Sequence, residues 1–199
     1  MRLRTEARWL GLATIEAFFS WTEHVLIHIG IIRGVLASAD EVARAAEADW
    51  ATKFKLAVDL TDARAKGLYD ELLRARKELR NFVAHGSFGK EGEAFHFHSS
   101  AGAVPVRLPD PVGSRNFSFG QTSSFDVTSA LISIEGFIAH LWDGPRAPAK
   151  IYIQDYELPL IMTMVRDGTY AKAMASIEEM EHFAHHLAGE MDNAANMDW

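Results

Sequence analysis

The chain has 199 residues, 48% hydrophobic and 24% charged, a balance that suits one folded domain and excludes a disordered chain. It has no cysteine, which excludes disulfide frameworks and thiolate chemistry and leads us to expect a reducing compartment, the cytoplasm. A net charge of −7 excludes a surface that is basic all over, so any contact with nucleic acid must run through a local patch.

The start, Met1-Arg2-Leu3-Arg4, has the charge of a signal peptide, but Glu16 interrupts the apolar run and no small-residue cleavage site follows. The uncharged stretch from Val25 to Ile32 is far short of a bilayer span, so no membrane contact is expected. Residues from about Thr5 to Leu36 read as one long helix. Trp9, Leu12, Ala13, Phe18, Phe19, Trp21, Val25, Ile29 and Ile32 cover most of its circumference, with a polar stripe at Glu16, Ser20, Glu23 and His24. A helix apolar on nearly all sides belongs in the middle of a bundle. Gly34 is its expected stop.

Ser38-Ala39-Asp40-Glu41 has the form of a capping box and predicts a second helix through about Leu56, anchored by Trp50 and Phe54. Thr61-Asp62 then caps a third, running to His85. Its apolar residues Leu68, Tyr69, Leu72, Ala75, Leu79, Phe82 and Val83 gather on one side at about 100° per residue. After Gly86 the period changes to two. Phe95/Phe97, His96/His98, Val104/Val106/Leu108 and Phe117/Phe119 predict two or three short strands between about 91 and 120, with Pro105 at an edge.

Helix returns with Ser124 as cap, from Phe125 to about Trp142. A connection rich in proline and glycine follows (Gly144, Pro145, Pro148, Pro159), then a last helix from Thr169 to about Ala188 packing Met174, Ile177, Met180, Ala184 and Leu187. The expected architecture is mainly α, a single domain over 1–199, with a β-like insertion at 91–120 and additional C-terminal helices.

Chemistry gathers at the end of the third helix, in Leu79-Arg80-Asn81-Phe82-Val83-Ala84-His85-Gly86. On a helical wheel Arg74, Glu78, Asn81 and His85 fall together, Lys77 flanks them, and Arg80 stands about 140° from His85. A straight helix does not aim both groups at one phosphate, whereas a second copy across a two-fold axis would complete a shared cleft. Attack by a ribose 2′-hydroxyl on its own phosphate needs proton transfer near neutral pH, which suits His85, and a fixed cation on the non-bridging oxygens, which suits Arg80. Asn81 can position either partner through its amide. Arg74 and Lys77 are the candidate RNA-binding residues. No metal or cofactor is required. The structural alternative is a helix end solvated by Arg80 and Asn81 and capped by His85 and Gly86.

The same octapeptide resembles the motif of the HEPN family (higher eukaryotes and prokaryotes nucleotide-binding domains): Arg, a polar residue, three to five further residues, then His, at the end of the third main helix. Ala17-Phe18-Phe19-Ser20-Trp21-Thr22-Glu23-His24 is similar to the aromatic first helix of some bacterial members. The resemblance covers residues 5 to 90. It implies a HEPN-like antiparallel helical bundle that forms a homodimer with paired motifs. It also implies a metal-independent endoribonuclease, a toxin or defence effector, with single-stranded RNA as substrate and a cognate antitoxin or nucleotidyltransferase as partner. By the same resemblance Arg80 and His85 are the catalytic pair and Asn81 the polar residue between them. The alternative within the family is a non-catalytic dimeric module that binds nucleotide or a partner protein.

Other clusters read as structural. His24 and His28, four residues apart, could hold a metal but are expected to be hydrogen-bonded core histidines. Glu16 or Glu23 could reach Arg80 if their helices pack side by side. Glu179-x-x-His182, with Glu178, His185 and His186, has a di-iron spacing but no second such motif, and is expected to be solvated. His96 and His98 are expected on a surface strand. No phosphate-cradling glycine loop and no serine or cysteine nucleophile motif is present.

Overall fold

The computed structural model describes residues 2–85, 94–99, 102–107 and 125–196. Along residues 81–85 and both strands it describes the backbone. No proline interrupts the first 31-residue helix, α1 (Arg2–Ile32). It stops where Gly34 turns left-handed at φ 73° and closes an N–H on the Ile31 carbonyl at 2.9 Å, a conformation glycine adopts without steric cost. Leu12, Ile15, Phe18, Phe19, Leu26 and Ile29 form its buried face. Trp9, expected in the core, is 67% exposed. At about 100° per residue it falls outside the arc that meets the bundle. Over Trp9–Ile32 the helix is long and apolar enough to cross a membrane by length and composition, and 56% of that window is buried inside the bundle.

The capping box forms as expected. Glu41 donates its N–H to Ser38 Oγ, while its carboxylate accepts the N–H groups of Ser38 and Ala37. It opens α2 (Ala39–Glu47), but the helix does not continue to Leu56. Ala48 is extended and Asp49 caps a new helix, α3 (Trp50–Ala57), by accepting the N–H of Thr52 at 2.8 Å. The break lets Trp50 and Phe54 point inward, both essentially unexposed. Asp62 accepts the Arg64 N–H at the start of α4 (Ala63–His85), which buries Tyr69, Leu72, Ala75 and Leu79 of the expected stripe and Ala65 besides. Leu68 is half-buried, and the side chains of Phe82 and Val83 lie outside the described residues.

Two strands, β1 (Ala94–Ser99) and β2 (Gly102–Arg107), pair antiparallel from Ala94↔Arg107 to Ser99↔Gly102. Among the described residues the ribbon has two strands, so Pro105, opposite His96, is on an edge strand as expected. The stretch around Phe117 and Phe119 lies outside the described residues, as does Ser124. The cap of α5 (Val127–Leu141) is Asp126, which accepts the Ser129 N–H at 3.1 Å.

Beyond α5 the expected loop is instead wound into short turns. A 3₁₀ turn (Gly144–Arg146) leads into α6 (Ala147–Lys150), a π turn (Ile151–Asp155) and α7 (Met162–Arg166). The last helix is two: α8 (Thr169–Ala173) and α9 (Ile177–Ala195), restarted by Ser176, which accepts the Glu179 N–H. These pieces enclose a second core around Tyr152, Tyr170, Met180 and Ala184. Tyr152 donates its hydroxyl proton to the Pro159 carbonyl at 2.6 Å, and Tyr170 Oη accepts the Ile161 N–H at 2.9 Å. Burial and the Tyr170 hydroxyl push the Tyr152 phenol up, out of reach of ordinary pH. Ile177, expected to pack, is 52% exposed because it is the first residue of α9, a turn ahead of the buried Met180/Ala184/Leu187 face.

The larger core lies where α1, α3, α4 and α5 meet, with Phe54 in ring contact with Trp50, Tyr69 and Phe137. At Gly11 the approach of α1 to α5 is so close that an added Cβ would lie 2.4 Å from Val127 Cγ1. We expect Gly11→Ala to cost about 1–3 kcal/mol in urea unfolding, since valine is stiff and overpacking strains both helices. Adding Val127→Ala should recover part of that loss, and two additive losses would argue against the contact.

Candidate functional site

The end of α4 is placed by its neighbours. Asp62, at its start, lies 3.7 Å from His140 near the end of α5, and Glu71 accepts the Ser133 hydroxyl proton at 2.8 Å. The two helices therefore run antiparallel, and α4 finishes beside the start of α5. Gly11 meets Val127 while Phe18 meets Phe137, so α1 runs parallel to α5. The Arg80–His85 turn thus stands at the bundle end that also holds the N-terminal half of α1.

Two grooves flank α4. One, of about 290 Å³, opens between α4, α1 and α3 and is lined by Glu23, Asp49, Trp50, Ala51, Leu73, Arg76, Lys77 and Arg80. The other, of about 240 Å³, opens between α4 and α5 and is lined by Glu71, Arg74, Ala75, Glu78, Phe125, Asp126, Ser129, Ala130 and Ser133. Arg80 and Lys77 therefore share a groove, whereas Arg74 stands in the other among carboxylates. The two expected RNA-binding residues, Arg74 and Lys77, are split because the crest of α4 passes between them. Lys77 and Arg80 are exposed and make no ion pair among the described residues. The α4 backbone stays helical through Asn81 to His85, and the side chains of both lie outside the described residues.

Glu23 lines the first groove, but its partner is Arg76 rather than the expected Arg80. Arg76 Nη2 donates to Glu23 Oε1 at 2.6 Å and Lys53 Nζ to Glu23 Oε2 at 3.0 Å. The Arg76 guanidinium also sits 5.4 Å from the Phe19 ring and 5.8 Å from the Trp50 ring. Trp50 in turn donates its Nε1–H to Thr22 Oγ1 at 2.9 Å, fixing the wall. Glu16 is exposed and makes no ion pair among the described residues. Lys53, buried at 5% exposure, and Arg76 escape sequence reading, because nothing local marks which cation will fold onto Glu23. The one signal is that Arg76 precedes Arg80 by four residues on the same helix face.

Burial pushes the Glu23 carboxyl up, but the hydrogen bonds and charges of Lys53 and Arg76 outweigh it and hold the group below its ordinary value near 4.5. A carboxylate depressed on folding contributes stability that is present above that ordinary value and lost as pH falls through the folded one. Urea midpoints should therefore drop below about pH 4.5, and Glu23→Gln should flatten this acid limb. An unchanged limb in the variant would remove Glu23 from the explanation.

The histidines form no such centre. His24 is exposed and His28 half-buried, with no hydrogen bond among the described residues, which corrects the expected hydrogen-bonded pair. Burial, and then His24, pull the His28 imidazole below its ordinary value. Glu178, Glu179, His182, His185 and His186 are exposed, as expected of a solvated face. Among the described residues no group of three or more histidine or acidic side chains is placed to hold a metal. His96 and His98 are on β1, where the backbone alone is described. His140, unremarked in the sequence, is buried with Nε2 lacking a hydrogen bond among the described residues. Compared with family models, curated proteins and solved structures, the chain matches none.

Proposed function

We propose that this chain is a HEPN-like, metal-independent endoribonuclease acting on single-stranded RNA as a homodimer in the cytoplasm. The observation that supports this best is Arg80, exposed, without an ion pair among the described residues, and sharing a groove with Lys77 on the helix whose last residue is His85. The guanidinium would hold the non-bridging oxygens of the scissile phosphate through its two-pronged donor geometry. The 2′-oxygen bonds to phosphorus as its proton passes to His85, and the bond to the 5′-oxygen breaks as that oxygen takes up a proton. The products are a cyclic phosphate and a 5′-hydroxyl. Asn81 orients the phosphate or the imidazole. A single strand suits the in-line attack and asks for less positive surface than a duplex. A two-fold partner would bring a second Arg80–His85 set across the cleft, resolving their divergence on one helix. In this reading the protein is a toxin or defence effector.

The second reading is a dimeric module that binds without cutting. It is favoured by Glu23 and Asp49 in the Arg80 groove and by the net charge of −7. Incubating the purified protein with end-labelled RNAs of varied sequence in EDTA separates the two. Products ending in cyclic phosphate support the enzyme, and intact RNA throughout supports the module. Cleavage that disappears only on chelation would instead indicate a metal-dependent enzyme.

A further inference from the structure

We propose that the groove between α1, α3 and α4 is a phosphate subsite. It takes the phosphate of a nucleotide flanking the one that is cut, on Arg76 and Lys77, with Leu73 as the apolar wall for its sugar. It rests on the ribonuclease reading for the identity of the ligand but on its own geometry for the binding of an anion.

The argument begins with charge. Glu23 has two carboxylate oxygens, and each accepts from a different cation, Arg76 and Lys53. In the lining Arg76, Lys77 and Arg80 stand against Glu23 and Asp49, one positive charge in surplus, and Lys53 behind Glu23 adds to it. Lys53 is buried behind the lining, and Arg76, with its side chain 31% exposed, is packed over Phe19 and Trp50. Lys77 adds a cation on the rim, and Arg80 links this groove to the catalytic turn. Asp49 is the remaining carboxylate in the lining. The surplus is thus local and positive on a chain that is acidic overall, the condition composition set for any contact with nucleic acid.

Geometry adds direction. Arg76 and Arg80 are four residues apart, about 6 Å of helix rise, which is close to the phosphate spacing along an extended single strand. The Arg76 guanidinium is held at one end by Glu23 and across its face by the rings, so little conformational freedom is lost when an anion arrives. Leu73, 38% exposed, lies in the lining beside these cations and offers the apolar surface a ribose or base edge would cover. A groove of about 290 Å³ accommodates one nucleotide rather than a duplex.

The two carboxylates give the test its sign. If the groove binds anions, Glu23 and Asp49 oppose the ligand, and removing either charge should tighten binding. Adenosine 5′-monophosphate, inorganic phosphate and adenosine would be titrated into the intact protein by calorimetry, with EDTA present. The nucleotide should bind more tightly than phosphate, and adenosine should not bind measurably. Glu23→Gln and Asp49→Asn should each tighten nucleotide binding about five-fold, and Lys77→Ala should weaken it by a similar factor. Asp49→Asn keeps a competent helix cap, so its fold is safe even if Glu23→Gln loosens the floor. No binding to about 10 mM, or weaker or unchanged binding in Asp49→Asn, overturns the subsite. Cleavage of RNA without nucleotide binding would sink this inference and leave the nuclease reading standing. Binding with the expected signs but no cleavage would do the reverse.

Discussion

His85→Ala should lower RNA cleavage by about a hundred- to ten-thousand-fold, the usual contribution of a positioned proton-transfer group. The proposed reaction removes a proton from a 2′-hydroxyl and delivers one to a leaving 5′-oxygen, and imidazole is the side chain best matched to both near neutral pH. Arg80 contributes differently. Its planar fork matches two phosphate oxygens at once. Arg80→Lys should therefore keep part of the affinity for RNA while losing most of the turnover, and Arg80→Ala should lose both. Gel assays on a labelled single strand would give the rates, with circular dichroism and light scattering checking fold and oligomeric state. Wild-type rates in a folded His85→Ala dimer would end the proposal, whatever Arg80 does.

How far the sequence could carry this depended on whether a signal was local. The capping box at Ser38–Glu41, the stop at Gly34 and the part of the α4 stripe from Tyr69 to Leu79 are written in neighbouring residues, and each appears where expected. The break at Ala48–Asp49 is different. Asp49 is an ordinary helical residue until Trp50 and Phe54 must turn toward Phe19, Tyr69 and Phe137, which are distant in sequence. The second core was illegible for a similar reason. Prolines at 145, 148 and 159 read as loop, yet Tyr152 and Tyr170 tie that segment together through contacts no short window contains. Trp9 was misplaced by hydrophobicity alone, since an aromatic residue on a long helix says nothing about which arc its neighbours will cover.

The candidate site divides along the same line. Arg80 is an exposed cation that lines one groove, while the side chain of His85, five residues further along α4, lies outside the described residues. The partners of Glu23 were not legible. A carboxylate on α1 can be expected to find a cation, but only the packing of α3 and α4 selects Lys53 and Arg76 over Arg80.

Phe54→Ala should be the most destabilising single change available, costing about 3–5 kcal/mol and lowering Tm by about 10 °C. The side chain is fully buried, and its ring lies 5.2 Å from Trp50, 5.1 Å from Tyr69 and 5.1 Å from Phe137, so it touches the elements on which the bundle closes. Truncation removes the burial of a whole ring and leaves a cavity that three aromatic neighbours cannot collapse to fill. Ile132→Ala, 63% exposed on α5, is the control and should shift stability by no more than about 0.5 kcal/mol. The consequence reaches the groove, because Lys53 and Asp49 belong to the same short helix and its cap. A loosened α3 should weaken anion binding even at temperatures where the protein remains folded, whereas Ile132→Ala should leave it alone. Urea unfolding followed by tryptophan fluorescence measures the first effect and nucleotide titration the second. A Phe54→Ala loss below about 1 kcal/mol would mean that α3 does not close this core, and the floor proposed for the phosphate would have no support beneath it.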